Sequence, residues 1–290
     1  MKKPTIWLLN DGPDGAGALI LITMINFFRK IRKNMADDNR PLKYARYAIG
    51  EIVLVVIGIL IALQINNWNE EVKSLTEEKI ILKQLQIDFN SNLEQLDQKI
   101  GMRVDFIKSS QQLFKFIDDP SQRIKDSIDF YIAKTLPYAT FDPIIIDLAS
   151  TGELSLIKNA ELKHALTRWT SEINDVIEDE IIWKNYRNDI YFPFLVEHYQ
   201  LRTIRNKAYQ SNILGQYSLE INKNIESYSK GNIGNSKHKE DFNGLLNNPD
   251  FEDHLTRCYS INSWANIQSG ILRKRIVEII MLIDEEIKKE

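Results

Sequence analysis

The sequence contains few residues of the types that build catalytic, metal or disulfide sites. Cys258 is the only cysteine in 290 residues, so no intramolecular disulfide can form, and cysteine usage does not indicate a redox compartment. There is no P-loop, G-x-S-x-G motif, H-E-x-x-H motif or kinase motif set. The net charge of −3 does not favour nucleic-acid binding. We therefore predict no catalytic residue, cofactor, metal or nucleic-acid partner.

Two short fragments resemble parts of metal sites. Glu161 and His164 match the Glu-x-x-His element of di-iron bundles, which requires a second such element and two further carboxylates. Glu161 is better explained as a favourable charge in the first turn of a helix. His254 and Cys258 share a helix face but supply only two ligands. A metal-dependent or hydrolytic enzyme is therefore ranked third among the functions considered for this chain, after the two described at the end of this subsection.

A long apolar segment follows the N-terminal region. Residues 52–63 read IVLVVIGILIAL, and no charged residue occurs between Ile52 and Asn69. Tyr47 and Trp68 bracket a helix of roughly 32 Å, which matches a hydrocarbon core of about 30 Å. We predict a transmembrane helix over residues 48–68, with both rings at the lipid interfaces. The alternatives are a buried core helix or a cleavable signal peptide, but no small-x-small cleavage site follows the segment, which favours an uncleaved signal anchor.

Charge on the two sides of the span predicts its orientation. Residues 24–47 form a basic segment, and the stretch after the span alternates lysine with glutamate. The positive-inside rule places the basic segment in the cytoplasm and residues 69–290 outside it. The basic residues are Arg29, Lys30, Arg32, Lys33, Arg40, Lys43 and Arg46. Residues 1–23 differ in character, and we interpret them as a disordered extension or as sequence upstream of a natural start at Met24.

Small residues within the span predict self-association. Glu51, Gly58 and Ala62 are seven and four residues apart and therefore share one helix face. Gly58-x-x-x-Ala62 is a small-xxx-small pattern that allows two membrane helices to approach closely. The predicted partners are thus the lipid bilayer, a second copy of the chain and an unidentified protein.

Helical periodicity begins beyond the span. Apolar residues recur every seven positions, no proline occurs between Pro41 and Pro120, and Asn159 and Asn248-Pro249 are good helix starts. We expect a kink or stop at Pro193 and a mobile connection over residues 209–238. The heptad positions are Leu75, Leu82, Phe89 and Leu96, with Leu93, Ile100, Ile107 and Phe114 beside them. The fold class is all-α: one transmembrane helix followed by an extramembrane antiparallel helical bundle.

Two side-chain clusters mark the middle of the domain. An aromatic group surrounds Pro193, and we interpret it as core packing, with a ligand pocket between helices as the alternative. The pocket residues would be Trp183, Tyr186, Tyr191, Phe192 and Phe194. Glu172, Asp175 and Asp179 form an acidic stripe, with Glu178 and Glu180 alongside it. We interpret these residues as a solvated helix face, with cation binding as the alternative.

One segment resembles a known family. The FRKIR sequence at Phe28–Arg32 and YAIGEIVLVVIGILIALQINNWNE at Tyr47–Glu70 are similar to the start of uncharacterised single-pass membrane proteins of Gram-negative bacteria, a family of unknown function. Residues 148–166 resemble the family's second block. The resemblance implies an inner-membrane protein with a periplasmic helical domain and no established activity.

These observations favour a membrane-anchored, non-catalytic helical module that acts in scaffolding, recruitment or signalling in the cell envelope. The alternative is an extracytoplasmic sensor of a small ligand, with the aromatic group as its site. The cytoplasmic part is too short for an output domain, so signalling would require a partner.

Overall fold

The structure, a computed structural model, describes residues 41–145, 148, 150–213 and 231–289. The predicted extension at 1–23, the basic segment up to residue 40, and residues 214–230 of the predicted connection lie outside this range. The described residues form two compact units, one ending at Glu71 and the other beginning at Val72.

Every regular element in the described ranges is helical, and these ranges contain no strand. The all-α class is therefore confirmed. The helices are α1 (Pro41–Asp118), α2 (Lys125–Thr135), α3 (Ala160–Tyr186), α4 (Phe192–His198), α5 (Leu201–Gln210), α6 (Phe242–Leu246) and α7 (Pro249–Lys289), with 3₁₀ turns at Pro120–Gln122 and Glu153–Ser155 and a π turn at Arg187–Tyr191.

The helix boundaries have local chemical causes. Helix α1 is described from Pro41 and ends at Asp118, just before Pro120, and no residue between these two prolines lacks the N–H of a helical hydrogen bond. The Asn159 side chain accepts a hydrogen bond from Leu162 N, at 2.9 Å, and so caps α3 as predicted. Asn248 accepts from Asp250 N, at 2.9 Å, in the first turn of α7. The predicted starts of α3 and α7 are confirmed.

The first unit contains the apolar segment of α1. Eleven of its large aliphatic side chains, from Ile49 to Ile65, expose between 44% and 63% of their surface, and Trp68 exposes 66%. Helix α1 is long and apolar enough to cross a membrane. A continuous apolar surface of this kind is unusual on a soluble protein.

The second unit begins with the heptad-patterned part of α1. Leu82, Phe89 and Leu96 are buried, as the seven-residue repeat predicts. The neighbouring series, Leu93, Ile100, Ile107 and Phe114, is half-buried, and all but Ile107 pack against buried apolar side chains of the domain.

Three long helices give this unit its topology. Helix α7 runs antiparallel to α1, since Gln86 bonds Asp284 and Arg273 bonds Asp97. It is also antiparallel to α3, since Arg275 bonds Glu172 and Trp264 bonds Asp179. Helices α1 and α3 run parallel to each other, because residues 119–159 return the chain to the start of α1's packed segment, where Lys158 N donates to Glu78 at 2.6 Å.

Two apolar cores lie along these helices. The three-helix core is formed by the earlier halves of α1 (from Leu82) and α3 and by the later half of α7, and it includes Leu82, Trp169 and Ile276. The aromatic core is formed by the later half of α1, α2, the 183–213 region and the start of α7, and it includes Phe106 and Tyr191. On α7, Ile271 is exposed, whereas Ile276, Ile279 and Ile283 are fully buried.

A polar centre separates the two cores. The Arg103 guanidinium on α1 contacts the Glu180 carboxylate on α3, and both side chains are buried, at 1% and 0% exposure. Arg103 also donates to Asn266 Oδ1 at 2.7 Å, to Ser269 Oγ at 2.7 Å and to the Ala139 carbonyl at 3.2 Å. Glu180 accepts from Phe141 N at 2.5 Å. This centre therefore joins α1, α3, α7 and the 139–141 segment.

The electrostatics of the centre follow from its burial. Burial raises the pKa of the Glu180 carboxyl, while Arg103, Phe141 N–H and Lys99 act in the opposite direction. Burial also lowers the pKa of the Arg103 guanidinium. Our interpretation of Glu180 as part of a solvated stripe is wrong, because a helix turned by 100° per residue places Glu180 away from exposed Glu178 and towards Arg103.

Removing one partner of this buried pair should be costly. We expect Arg103→Met to reduce the free energy of unfolding by about 3–5 kcal/mol, because Glu180 then remains buried without its cation. Arg103→Met/Glu180→Met should cost less than the sum of the single changes. Urea unfolding of the full chain in detergent, followed by tryptophan fluorescence, measures both.

The matched control is Arg273→Met, which breaks the exposed pair with Asp97. It should cost no more than about 1 kcal/mol. An Arg103→Met chain as stable as Arg273→Met would contradict the structural role of the buried pair.

Candidate functional site

The predicted aromatic group lies where α3 passes into α4. Pro193 has no N–H, so a regular helix through this point would lack one hydrogen bond. The chain widens instead into the π turn Arg187–Tyr191, in which Phe192 N donates to the Arg187 carbonyl five residues earlier. The predicted kink at Pro193 is thus a π turn, a feature often found at functional sites.

Two of the predicted pocket residues fill the aromatic core. Trp183 is buried and donates from Nε1 to the Pro137 carbonyl at 3.2 Å. Tyr191 is fully buried, and its hydroxyl lies 2.9 Å from Thr135 Oγ1. Their ring centroids are 6.0 Å apart. Burial raises the pKa of Tyr191, so the phenol stays neutral and acts in packing and hydrogen bonding.

The other three aromatic residues are half-buried, and two of them, Tyr186 and Phe194, lie against His254. The Tyr186 hydroxyl lies 2.7 Å from His254 Nδ1, and the Phe194 ring centroid lies 4.4 Å from that of His254. Phe192 lies beneath the Arg187 guanidinium, at 4.9 Å. Trp183, Tyr186, Tyr191 and Phe194 therefore belong to one core and pack against its side chains, whereas Phe192 contacts Arg187.

Cys258 lies deeper on α7, one turn from His254. Burial raises the pKa of its thiol to about 12, so the sulfur remains protonated and a poor metal ligand. No group of three His, Cys, Asp or Glu side chains within the described ranges is placed to hold a metal ion.

The residues predicted for the membrane segment lie on the first unit. Tyr47 and Trp68 are exposed at the two ends of the apolar stretch. Glu51, Gly58 and Ala62 are also exposed, and a Cβ added at Gly58 would meet no atom within 4 Å. The face is accessible, and its use in self-association stays a prediction.

A cavity of about 330 Å³ lies between α1, α3 and the residues Ile144, Ile145, Leu148 and Leu154. Its walls are largely apolar, and three polar side chains, Asp88, Thr167 and Thr170, reach it. The apolar lining residues are Leu85, Phe89, Ile144, Ile145, Leu148, Leu154, Leu166 and Trp169. A concave apolar site with a few polar groups is the usual form of a small-molecule site.

Side-chain amides on α1 hold the loop over this cavity. Asn92 donates to the Ile144 carbonyl at 3.0 Å and accepts from Ile144 N at 2.8 Å. Gln95 accepts from Asp142 N at 2.8 Å. Gly152 has a φ of 76°, a left-handed conformation that turns the chain into the 3₁₀ turn containing Leu154.

Sequence reasoning did not identify this cavity, because its walls come from three segments distant in the chain. One signal was available. Asn92 is a polar residue on the buried side of α1, and a buried amide on an apolar helix face usually holds a neighbouring backbone segment.

Residues 51–141 match the sequence model of a family described as Family of unknown function (DUF6090). The matched range covers less than half of the chain and includes the apolar segment from Glu51, Asp88 and Arg103. The resemblance to a family of unknown function is confirmed over these residues, and the block at 148–166 lies outside them. No curated protein and no solved structure matches the chain.

The free energy of unfolding should depend on pH through the protonation of His254. Burial is the largest cause lowering the pKa of His254, while Asp250 and Asp253 partly oppose it. The folded state therefore disfavours the protonated ring, and the unfolded state protonates near its ordinary pKa of about 6.5. The stability contributed by burying the neutral His254 ring is complete above the unfolded-state pKa and is lost as the pH falls through the folded-state pKa.

We therefore expect the free energy of unfolding to fall between pH 7.5 and pH 5.5, and His254→Gln to reduce this dependence. Urea unfolding at the two pH values measures it. His164→Gln, which changes an exposed histidine on α3, is the control. An equal pH dependence in the wild-type and His254→Gln chains would contradict the expectation.

Proposed function

We propose that this protein is a membrane-anchored, non-catalytic helical module that acts in scaffolding, recruitment or signalling in the cell envelope. The observation that carries the proposal is the contrast between the two parts of α1. Its apolar residues before Val72 are exposed, whereas the same helix buries Leu82, Phe89 and Leu96 once the domain begins. An exposed apolar helix followed by a packed domain is what a membrane anchor requires.

The basic segment 24–47 supports an orientation with the N-terminus in the cytoplasm. In the bacterial inner membrane this orientation places residues 69–290 in the periplasm. The anchor then holds the helical domain beside the bilayer, where it can meet membrane partners or envelope components. Recruitment of a partner is the simplest use of such a domain, because the side chains of its polar centre, Arg103 and Glu180, are bonded to other groups of the domain.

A second function, sensing of a small extracytoplasmic ligand, is favoured by the 330 Å³ cavity beside α1. Of the two candidate places for a ligand, the cavity is the better supported, because the rings around Pro193 pack against one another. Helix α1 contributes Leu85, Asp88 and Phe89 to the cavity, so a ligand there would contact the helix that carries the anchor.

Topology provides the test of the anchor. A reporter that is active only in the periplasm should be active when fused after Glu290 and inactive when fused after Arg32. The reverse pattern would contradict the orientation. Ile57→Asp/Leu60→Asp should abolish activity of the Glu290 fusion and release the chain from membranes, since each carboxylate costs about 2.5–3.5 kcal/mol at the bilayer centre.

Self-association through the Gly58 face gives a further prediction. Gly58→Ile should weaken dimers in detergent or in a membrane two-hybrid assay, because the larger side chain separates helices held by close van der Waals contact. Membrane insertion should be retained, since isoleucine is favourable in the bilayer.

Gly50→Ile is the matched control, because Gly50 is the other glycine of the segment and lies about 80° around the helix from Gly58. The segment 41–72 should be compared with the full chain, because the helical domain can itself associate. If both are monomeric before the change, or neither responds to it, the Gly58 face is ordinary lipid-facing surface.

A further inference from the structure

We propose that the cavity beside α1 binds a small apolar molecule bearing one protonated amine, and that the Asp88 carboxylate receives its charge. The inference rests on the ligand-sensing role proposed above for the cavity. It is independent of membrane orientation and adds the chemical class of the ligand.

The apolar part of this class follows from the walls. Leucine, isoleucine and aromatic side chains form most of the lining of the 330 Å³ space. That volume is near the lower end for small-molecule sites, so it suits a compact ligand. Ile144 and Ile145 are exposed by 46% and 50%, so the cavity is bordered by apolar side chains at the surface, where a ligand can enter.

The positive charge follows from Asp88, which lines this cavity and exposes only 8% of its surface. Both of its oxygens accept from one neutral donor, Gln84 Nε2, at 3.0 and 3.1 Å. Among the described residues, no lysine, arginine or histidine nitrogen lies within 4 Å of them. A carboxylate has about four acceptor positions, so Asp88 retains capacity for a cationic donor.

Two of the three other buried carboxylates in the described part of the domain have the side-chain cation that Asp88 lacks, and the third, Glu78, accepts the Lys158 N–H at 2.6 Å instead. Glu180 contacts Arg103, and Asp129 contacts Lys125 at 2.7 Å. Buried charges are normally paired in this way, because burial without a counter-charge is unfavourable. At Asp88 the open side is an apolar cavity, so the missing cation is one that a ligand can supply.

The aromatic wall supports the same chemistry. Trp169 is buried beside the cavity and packs against Phe89, with ring centroids 5.0 Å apart. An indole face attracts ammonium groups through its quadrupole. An anionic ligand would instead place a second negative charge next to Asp88, which disfavours its binding.

The test compares three probes that share one apolar body: 4-phenylbutylammonium, 4-phenylbutanol and 4-phenylbutanoate. Equilibrium dialysis against the full chain in phosphatidylcholine nanodiscs, with empty nanodiscs subtracted, measures binding separately from lipid partitioning. We expect the ammonium probe to bind about tenfold more tightly than the alcohol, as one charge-assisted bond implies, and the carboxylate to bind weakest.

Asp88→Asn should remove the preference for the ammonium probe while leaving alcohol binding within about twofold, since the apolar walls are unchanged. Retained alcohol binding also shows that the variant is folded. Glu94→Gln, which removes an exposed carboxylate from α1 outside the cavity, should preserve the preference. Ile145→Trp, at the exposed edge of the lining, should weaken binding of all three probes.

The outcomes separate the two proposals. Equal binding of the three probes would overturn the amine class and leave ligand binding intact. The same conclusion would follow if the preference for the ammonium probe survived Asp88→Asn, or if Glu94→Gln removed it as fully as Asp88→Asn does. No specific binding of any probe would overturn the ligand-sensing role together with this inference. Loss of preference in Asp88→Asn alone supports both.

Discussion

The Arg103 guanidinium is the point at which the separate segments of the helical domain meet. Its donors reach Glu180, Asn266, Ser269 and the Ala139 carbonyl, and Glu180 in turn holds Phe141 N. Such a group is expensive to bury unless each bond is made, so the centre selects one alignment of α1, α3 and α7. The two apolar cores on either side can then pack in a single register.

This alignment also positions the cavity. Phe141, fixed by Glu180, precedes the loop that Gln95 and Asn92 hold over α1. The loop closes one side of the cavity, and Trp169 on α3 closes another. The polar centre therefore contributes indirectly to the proposed ligand site, because it fixes the framework on which Ile144, Ile145 and the buried Asp88 line the same cavity.

The proposed anchor and the helical domain depend on different physical effects. The segment before Val72 exposes apolar side chains, which is stable where lipid replaces water. From Leu82 onward, α1 is stabilised by burying similar side chains against α3 and α7. Both parts belong to one helix, so the proposed anchor differs from the domain segment in having apolar residues around the whole helix instead of along one face.

The sequence alone determined the properties that depend on neighbours along the chain. These are the apolar segment, the all-α class, the end of α1 before Pro120, the Asn159 and Asn248 starts and the Leu82–Phe89–Leu96 stripe. Each follows from a spacing or a cap within a few residues. Tertiary structure decided what depends on distant segments: the burial of Glu180, the parallel course of α1 and α3, the exposure of Ile271 and the cavity around Asp88. Local periodicity cannot identify these features, because Arg103 and Glu180, or Asp88 and Trp169, become neighbours only when the helices pack.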